Sequence, residues 1–279
     1  MTATTSRRAR RLEAIERFDA RLGGRVRLLD DAALARPTLV VAPHPDDETL
    51  GCGGTIARVR ALGAPVVVVA CTDGSRSHRH LMDRARLAAL REEELRAACA
   101  TLGVAGSDVH ALGHEDGTLE SAVDPAAQAI ADLLRGAGVE RILLPFAGEG
   151  IADHLAARRA GLLARARLER PIEVLEYPVW SWHIWPFVEP EVWGIRRRLT
   201  ALLDPWRASR LARALTVAVD SGDHFETKRR ALRCHRSQME QLVDDPRWLT
   251  LADVSGGDWL ARCLRPREYF AWSPTPRPA

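Results

Sequence analysis

His44, Asp46, Asp47 and Glu48 stand within five consecutive positions around Pro45. An imidazole and three carboxylates this close repel one another unless a cation sits among them, and a divalent metal is the simplest cation to supply. A hydrolytic metal site needs about three protein ligands and an open position for water. His44 and Asp47, three apart on a tight turn, can face one point, which leaves Asp46 turned outward and free to handle a proton. The third ligand has to come from another loop. His154 is the best candidate, with Asp153 beside it placed to orient an imidazole. Two histidines and one carboxylate suit zinc, and ferrous iron accepts the same set. Zinc brings the pKa of a bound water down to about 7 and polarises a carbonyl oxygen, as amide hydrolysis requires. The plainer alternative is a helix cap, with Asp46 or Asp47 capping and His44 merely packed.

These residues need a frame. An apolar, β-branched run at 39–42 directly precedes them and reads as a strand buried on both faces. Further strands are predicted at 66–71, 108–112, 141–145 and 172–177, with a last one at 215–219. Helical patterns cover 7–22, 55–62, 83–102, 125–134, 154–168 and 220–242. Strand and helix alternate five times, the pattern of a parallel, doubly wound α/β sheet. In such sheets the working groups lie in loops beyond the carboxyl ends of the strands. Here those loops carry His44, Asp46 and Asp47, then Asp73 and Arg76, then His114 and Asp116, then Asp153 and His154. Gly51 to Gly54, with Cys52 among them, reads as close strand–helix packing. His78 and His80 read as a solvated loop. No internal repeat or linker is evident, so one domain spans 1–279, with a disordered tail over about 273–279.

Arg76 sits where a cation can hold a phosphate or a sugar hydroxyl, and Asp116 can accept hydrogen bonds from sugar hydroxyls. A solvated arginine and an ordinary Asp-Gly turn are the alternatives. The stretch 177–193 holds four of the eight tryptophans and three prolines. It reads as an ordered aromatic loop over the rim, in which Trp182 and its neighbours offer a stacking face to substrate or, alternatively, an oligomer contact.

Composition narrows the class. Of 279 residues 46% are hydrophobic and 28% charged, and the net charge is only +3, as in a soluble globular protein. The positive charge is arginine mixed with acids, Lys228 being the sole lysine. No basic stripe with interleaved aromatics marks a nucleic-acid partner. No run is long and apolar enough to span a membrane, and the charged start carries no export signal. Five scattered cysteines without a CxxC pair fit free thiols and a cytoplasmic location.

The stretch APHPDDETLGCGG resembles the signature of the PIG-L (LmbE-like) family of zinc-dependent N-deacetylases. Supporting matches are CTDGS, REEELRAACATLGV, LGHEDG, DHLAAR and KRRALRCHRSQ. The resemblance implies a Rossmann-like three-layer fold with a mostly parallel sheet. It implies removal of an N-acetyl or other N-acyl group from an amino sugar or its conjugate. An amidase on a non-sugar acyl amine and a non-catalytic sugar-binding relative are the alternatives. Carried over to this chain, it makes His44, Asp47 and His154 zinc ligands and Asp46 the base that activates the zinc-bound water. One departure matters. Where the family often has His-Pro-Asp-His, this chain reads Ile151-Ala152-Asp153-His154, so the histidine that helps stabilise the oxyanion is missing. His183 is the expected replacement, an interfacial role in the aromatic loop being the alternative.

Overall fold

A strand buried on both faces needs a near-continuous apolar run, and TLVVA and VVVVACT provide it. They form β2 (Thr38–Ala42) and β3 (Val66–Thr72), paired in parallel with Val40 opposite Val68. The computed structural model describes residues 2–136, 138–189 and 201–273. Its sheet also contains β1 (Arg27–Leu28), β4 (Val109–His114), β5 (Arg141–Pro145), β6 (Glu173–Tyr177), β7 (Val217–Asp220) and β8 (Arg267–Ser273), in the order β1-β7-β8-β6-β5-β2-β3-β4. β8 is antiparallel to β6 and β7, and the other pairings are parallel.

Alternate residues of β2 feed two cores. Val40 packs on one face with Leu22 of α1 (Thr2–Gly23), Ile56 of α3 (Asp47–Ala61) and Leu95 of α4 (Arg84–Thr101). Leu39 and Val41 pack on the other with Ile130 of α5 (Val123–Gly136) and Ala160 of α6 (Ala152–Ala166). α2 (Asp31–Leu34), between β1 and β2, adds Leu34 to the first core, and so does α7 (Asp204–Ala214) through Leu211. The result is a three-layer α/β structure with a mostly parallel sheet.

Several expectations are corrected. The helix foreseen at 55–62 begins at Asp47 and takes in the glycine-rich segment. Glycine is a poor helix former, yet here α3 lies too close to the sheet for side chains. A Cβ on Gly51 would overlap the Tyr177 ring, and one on Gly54 would overlap Ser221. α3 is interrupted at Cys52, which leaves helix polar groups to be satisfied from outside. Glu268 accepts from the N–H groups of Gly54 (2.9 Å) and Thr55 (2.7 Å). The buried Lys228 ammonium donates to Leu50 O (3.0 Å), Cys263 O (2.9 Å) and Glu268 Oε1 (2.7 Å).

The helix foreseen at 220–242 is two, α8 (Phe225–Cys234) and α9 (Arg236–Met239), separated at His235, and Asp220 ends β7. The short exposed β1 and the charge-bearing β8 are unforeseen strands. Ser273, expected in the tail, belongs to β8. Residues 274–279, like 190–193 of the tryptophan-rich stretch and 194–200 beyond it, lie outside the described residues. His78 is not solvated: its ring is buried and stacked on Trp248, with centroids 4.1 Å apart.

Candidate active site

The chain leaves β2 at Ala42 and turns sharply before α3 begins. Asp47 Oδ2 accepts the backbone N–H of His44 at 3.0 Å, which draws imidazole and carboxylate toward one point. Between them Asp46 takes φ +129°, outside the ordinary range for a side-chain-bearing residue. Such a backbone costs on the order of 1–3 kcal/mol and persists only where its surroundings hold it. Here Glu48 Oε2 accepts the Asp46 N–H (3.0 Å), and Arg91 Nη2 donates to Asp46 Oδ2 (3.0 Å) and to Pro45 O. Glu48 is itself fixed by Thr49 Oγ1 (2.6 Å) and by the buried His235 ring (3.0 Å).

His44 Nδ1 and His154 Nε2 each lie 3.3 Å from Asp47 Oδ2, and these three atoms fall within 4.8 Å of one another. His154, from the first turn of α6, is completely buried, and neither of its ring nitrogens has a hydrogen-bond partner. A buried polar atom without a partner is costly, and a divalent ion at this point would remove the cost. A carboxylate stands behind each ring. Asp153 Oδ2 lies 3.2 Å from His44 Nε2, and Glu149 Oε2 lies 3.4 Å from His154 Nδ1. The imidazole that Asp153 orients is that of His44. Carboxylates behind the ring are a recurrent feature of histidine metal ligands. A second grouping, His44 Nε2 with Asp116 and Asp153, also lies within 4.8 Å. Its carboxylates are already engaged by the N–H groups of Arg76, Gly117 and Leu119, so the first grouping fits an ion better.

Burial alone would depress the His44 pKa, but Asp116, Asp153 and Asp47 outweigh it and hold the ring well above its ordinary value. Burial would raise Asp47, but the His154 charge and the His44 hydrogen bond bring it below the ordinary carboxylate range. Asp46 goes the other way. Burial pushes it up to about 6 despite Arg91, and the Asp47 charge adds to the rise. Asp46 and Asp47, adjacent in sequence, are thus set for different protonation behaviour. Their shared cavity, about 280 Å³, is lined by His44, Arg76, Asp116, Ile151, Trp180 and Gln238 among others.

A family model described as PIG-L, GlcNAc-PI de-N-acetylase, matches residues 39–165. A probable N-acetyl-α-D-glucosaminyl L-malate deacetylase 2 of Bacillus cereus is 30% identical, the match covering 76% of this chain and 88% of that one. The chain belongs to the PIG-L family. A 1D-myo-inositol 2-acetamido-2-deoxy-α-D-glucopyranoside deacetylase of Actinosynnema mirum is likewise 30% identical, over 85% of this chain and 92% of that protein. In fold, the chain is similar to N,N'-diacetylchitobiose deacetylase of Pyrococcus horikoshii (TM-score 0.57, 23% identity, 86% of this chain and 84% of that one). It is also similar to GalB of Pseudomonas putida, a 4-carboxy-2-hydroxymuconate hydratase (TM-score 0.53, 18% identity, 88% and 97%). The last pairing shows that fold alone does not select a reaction, so activity has to be argued from the site.

In this PIG-L chain the structure gathers His44, Asp46, Asp47 and Asp116 at one cavity with Arg76 on its rim, while the buried His154 reaches the same cluster. It does not bring His183 or Trp182 there. His183 lines a neighbouring cleft, where its Nε2 lies 3.0 Å from Ser255 Oγ. Trp182 is buried among Phe18, Phe187 and Tyr269, with the Arg262 guanidinium 4.5 Å over its ring, so no face remains for a ligand. The tryptophan-rich segment is core as much as rim. Among the described tryptophans of this segment Trp180 alone reaches the cavity, stacked on Trp259 with centroids 4.5 Å apart.

Arg91, Glu94 and Glu149 are among the residues at the site that were not foreseen. Arg91 and Glu94 occupy the stripe of α4 that also carries Leu87 and Leu95, and a charge on an apolar stripe was a readable signal. Glu94 fixes the start of α9 by accepting from Ser237 N (2.7 Å) and Oγ (2.6 Å). Glu149, five residues before His154, is buried and accepts the N–H groups of Val179, Trp180 and Ser181 at 2.8–3.1 Å. It ties a candidate ligand to the wall of the cavity.

Proposed function

We propose that this protein is a metal-dependent hydrolase that removes an N-acetyl group from an amino sugar or an amino-sugar conjugate. The observation that carries the reading is the convergence of His44 Nδ1, Asp47 Oδ2 and His154 Nε2 beside an Asp46 carboxylate that lines the same cavity. Zinc is the ion this set suits best, with ferrous iron acceptable, and His44, Asp47 and His154 would hold it. When bound, the ion supplies a positive charge that polarises the amide carbonyl and acidifies water.

The chain's own residues do the rest. Asp46 takes the proton that a water must lose as it attacks the amide carbon, and returns a proton to the amine as the C–N bond breaks. A carboxylate pushed up to about 6 is suited to both halves of that transfer near neutral pH. Arg91 holds Asp46 in place through the 3.0 Å contact of its Nη2 with Asp46 Oδ2. Asp116 and Arg76 are the polar groups available to sugar hydroxyls. Ile151 brings no proton donor, so Asp46 serves as both base and acid. Among the described residues no helix is long and apolar enough to cross a membrane. The five cysteines are free thiols, which supports a reducing, cytoplasmic setting.

Acetate release from a panel of N-acetylated amino sugars and their glycosides tests the reading. Release that stops on adding a chelator and returns with zinc is expected. A panel that yields no acetate from the zinc-loaded protein would overturn it.

A further inference from the structure

A second cleft, about 610 Å³, adjoins the cavity that holds His44 and Asp47. The two share a wall, because Ile151 and Trp180 line both. That wall is rigid on one side. Trp180 is stacked on the fully buried Trp259, whose Nε1 donates to Val179 O at 3.0 Å, and the Trp180 N–H is held by Glu149 at 2.8 Å. On the other side Ile151, at the N-cap of α6, presents a branched apolar side chain that makes no capping hydrogen bond. Beyond the wall the cleft is framed by Phe146, Ile184 and Leu211, which present rings and branched chains.

Its outer lip is different. Trp206, Arg207 and Arg210 of α7 line it, all three exposed. The Arg210 guanidinium lies 5.6 Å from the Trp206 ring centroid, and among the described residues it has no carboxylate partner. Arg207 approaches Asp204 at 3.4 Å, but Asp204 is fully buried and also accepts the Trp185 N–H at 2.9 Å. The cleft thus has an apolar floor and a cationic lip, the arrangement that selects an apolar group with an anion at its far end.

We propose that this cleft holds the aglycone of the substrate: an apolar, ring-sized group, carrying an anionic substituent, attached to the N-acetylated sugar that occupies the cavity at His44. The inference rests on the deacetylase reading for what occupies the first cavity. It adds that the sugar alone is a poor substrate and that Ile151 is where the conjugate crosses from one compartment to the other. A histidine at that position would put a polar, hydrogen-bonding ring in the path of an apolar group. His183 then belongs to the wall of the aglycone cleft and not to the reacting centre.

Three glycosides of N-acetylglucosamine separate the possibilities: methyl, phenyl and 4-carboxyphenyl. Affinity is measured by calorimetry on zinc-loaded Asp46→Asn protein, and kcat/KM by acetate release from the wild type. Phenyl should bind about tenfold or more tightly than methyl, and 4-carboxyphenyl tighter again. Arg210→Ala should remove the step between phenyl and 4-carboxyphenyl while keeping that between methyl and phenyl. Leu211→Trp, which narrows the cleft, should remove the step between methyl and phenyl. The exposed Arg210 site keeps the test valid if Leu211→Trp fails to fold. Equal affinity for all three glycosides would overturn the inference even if all three are deacetylated. Failure to release acetate from any of them, with the affinity steps intact, would count against the deacetylase reading and leave the cleft's ligand class supported.

Discussion

Arg91→Leu is the perturbation with the most to say about how Asp46 is held. The Arg91 and Asp46 side chains are only 4% and 9% exposed, and their closest atoms are 3.0 Å apart. Arg91 also donates to Gly74 O at 2.9 Å and to Pro45 O. Leucine would leave a buried carboxylate without its cation and two carbonyls without their donor. Breaking a buried pair from one side costs about 3–5 kcal/mol. Part of that cost belongs to the charge and part to the carbonyls, and a double-mutant cycle with Asp46→Asn separates them. In the Asn background no charge is stranded, so the same Arg91→Leu change should cost about 1–3 kcal/mol less. Urea unfolding followed by tryptophan fluorescence, with chelator present in all four proteins, reads the difference free of metal binding. Losses equal within about 0.5 kcal/mol in the two backgrounds would refute the idea that Arg91 serves the Asp46 carboxylate.

Other outcomes follow from the same geometry. Burial raises Asp46 from an ordinary 3.8 to about 6, so the folded chain binds this proton more tightly than the unfolded chain, and stability is lost as pH rises across that window. In chelator, Asp46→Asn should therefore gain stability over the wild type between pH 4 and pH 7, and a gain that stays flat across those pH values would contradict the assignment. Glu149→Gln halves the acceptor set behind His154 and Trp180. Zinc affinity measured by chelator competition should fall about 10–100-fold, and an unchanged affinity would remove Glu149 from the site. Gly51→Ala drives a methyl into the Tyr177 ring and should cost at least about 1–3 kcal/mol in chemical unfolding. Gly106→Ala, with open space around the new methyl, is the control and should change stability by no more than about 0.5 kcal/mol.

Much of the frame was legible because the central strands are buried on both faces. Runs such as VVVVAC have no polar residue to obscure them, and β3, β5 and β6 fall within two residues of where those runs put them. β8 was not legible. Its Glu268 and Arg267 break the apolar pattern, since Glu268 serves the interrupted helix α3 and Arg267 pairs with Asp220. The start of α3 was hidden for a related reason. Glycines at 51, 53 and 54 argue against a helix locally, whereas the demand that this helix touch Tyr177 and Ser221 leaves no room for anything larger.

The candidate ligands were legible because two of them sit on one turn and the third opens a helix at the same rim. Arg91 meets Asp46 across 45 residues of sequence, and only the charge on its apolar helix stripe hinted at it. The tryptophans misled because their bulk suggests a lid. Phe18 from α1 and Arg262 from α10 (Asp258–Cys263) enclose Trp182 instead, and neither contact is visible from the segment itself.

The most direct measurement pairs metal content with turnover in one variant. Asp46→Asn and the wild type are each loaded with zinc, assayed for bound metal by mass spectrometry of the native protein, and then assayed for acetate release from an N-acetylglucosamine glycoside. The expected result is one zinc in both proteins, steady release by the wild type, and a rate at least a thousandfold lower, on the order of a lost proton-transfer group, in the variant. Release by Asp46→Asn within about tenfold of the wild type, with its zinc in place, would contradict the account of how this site works.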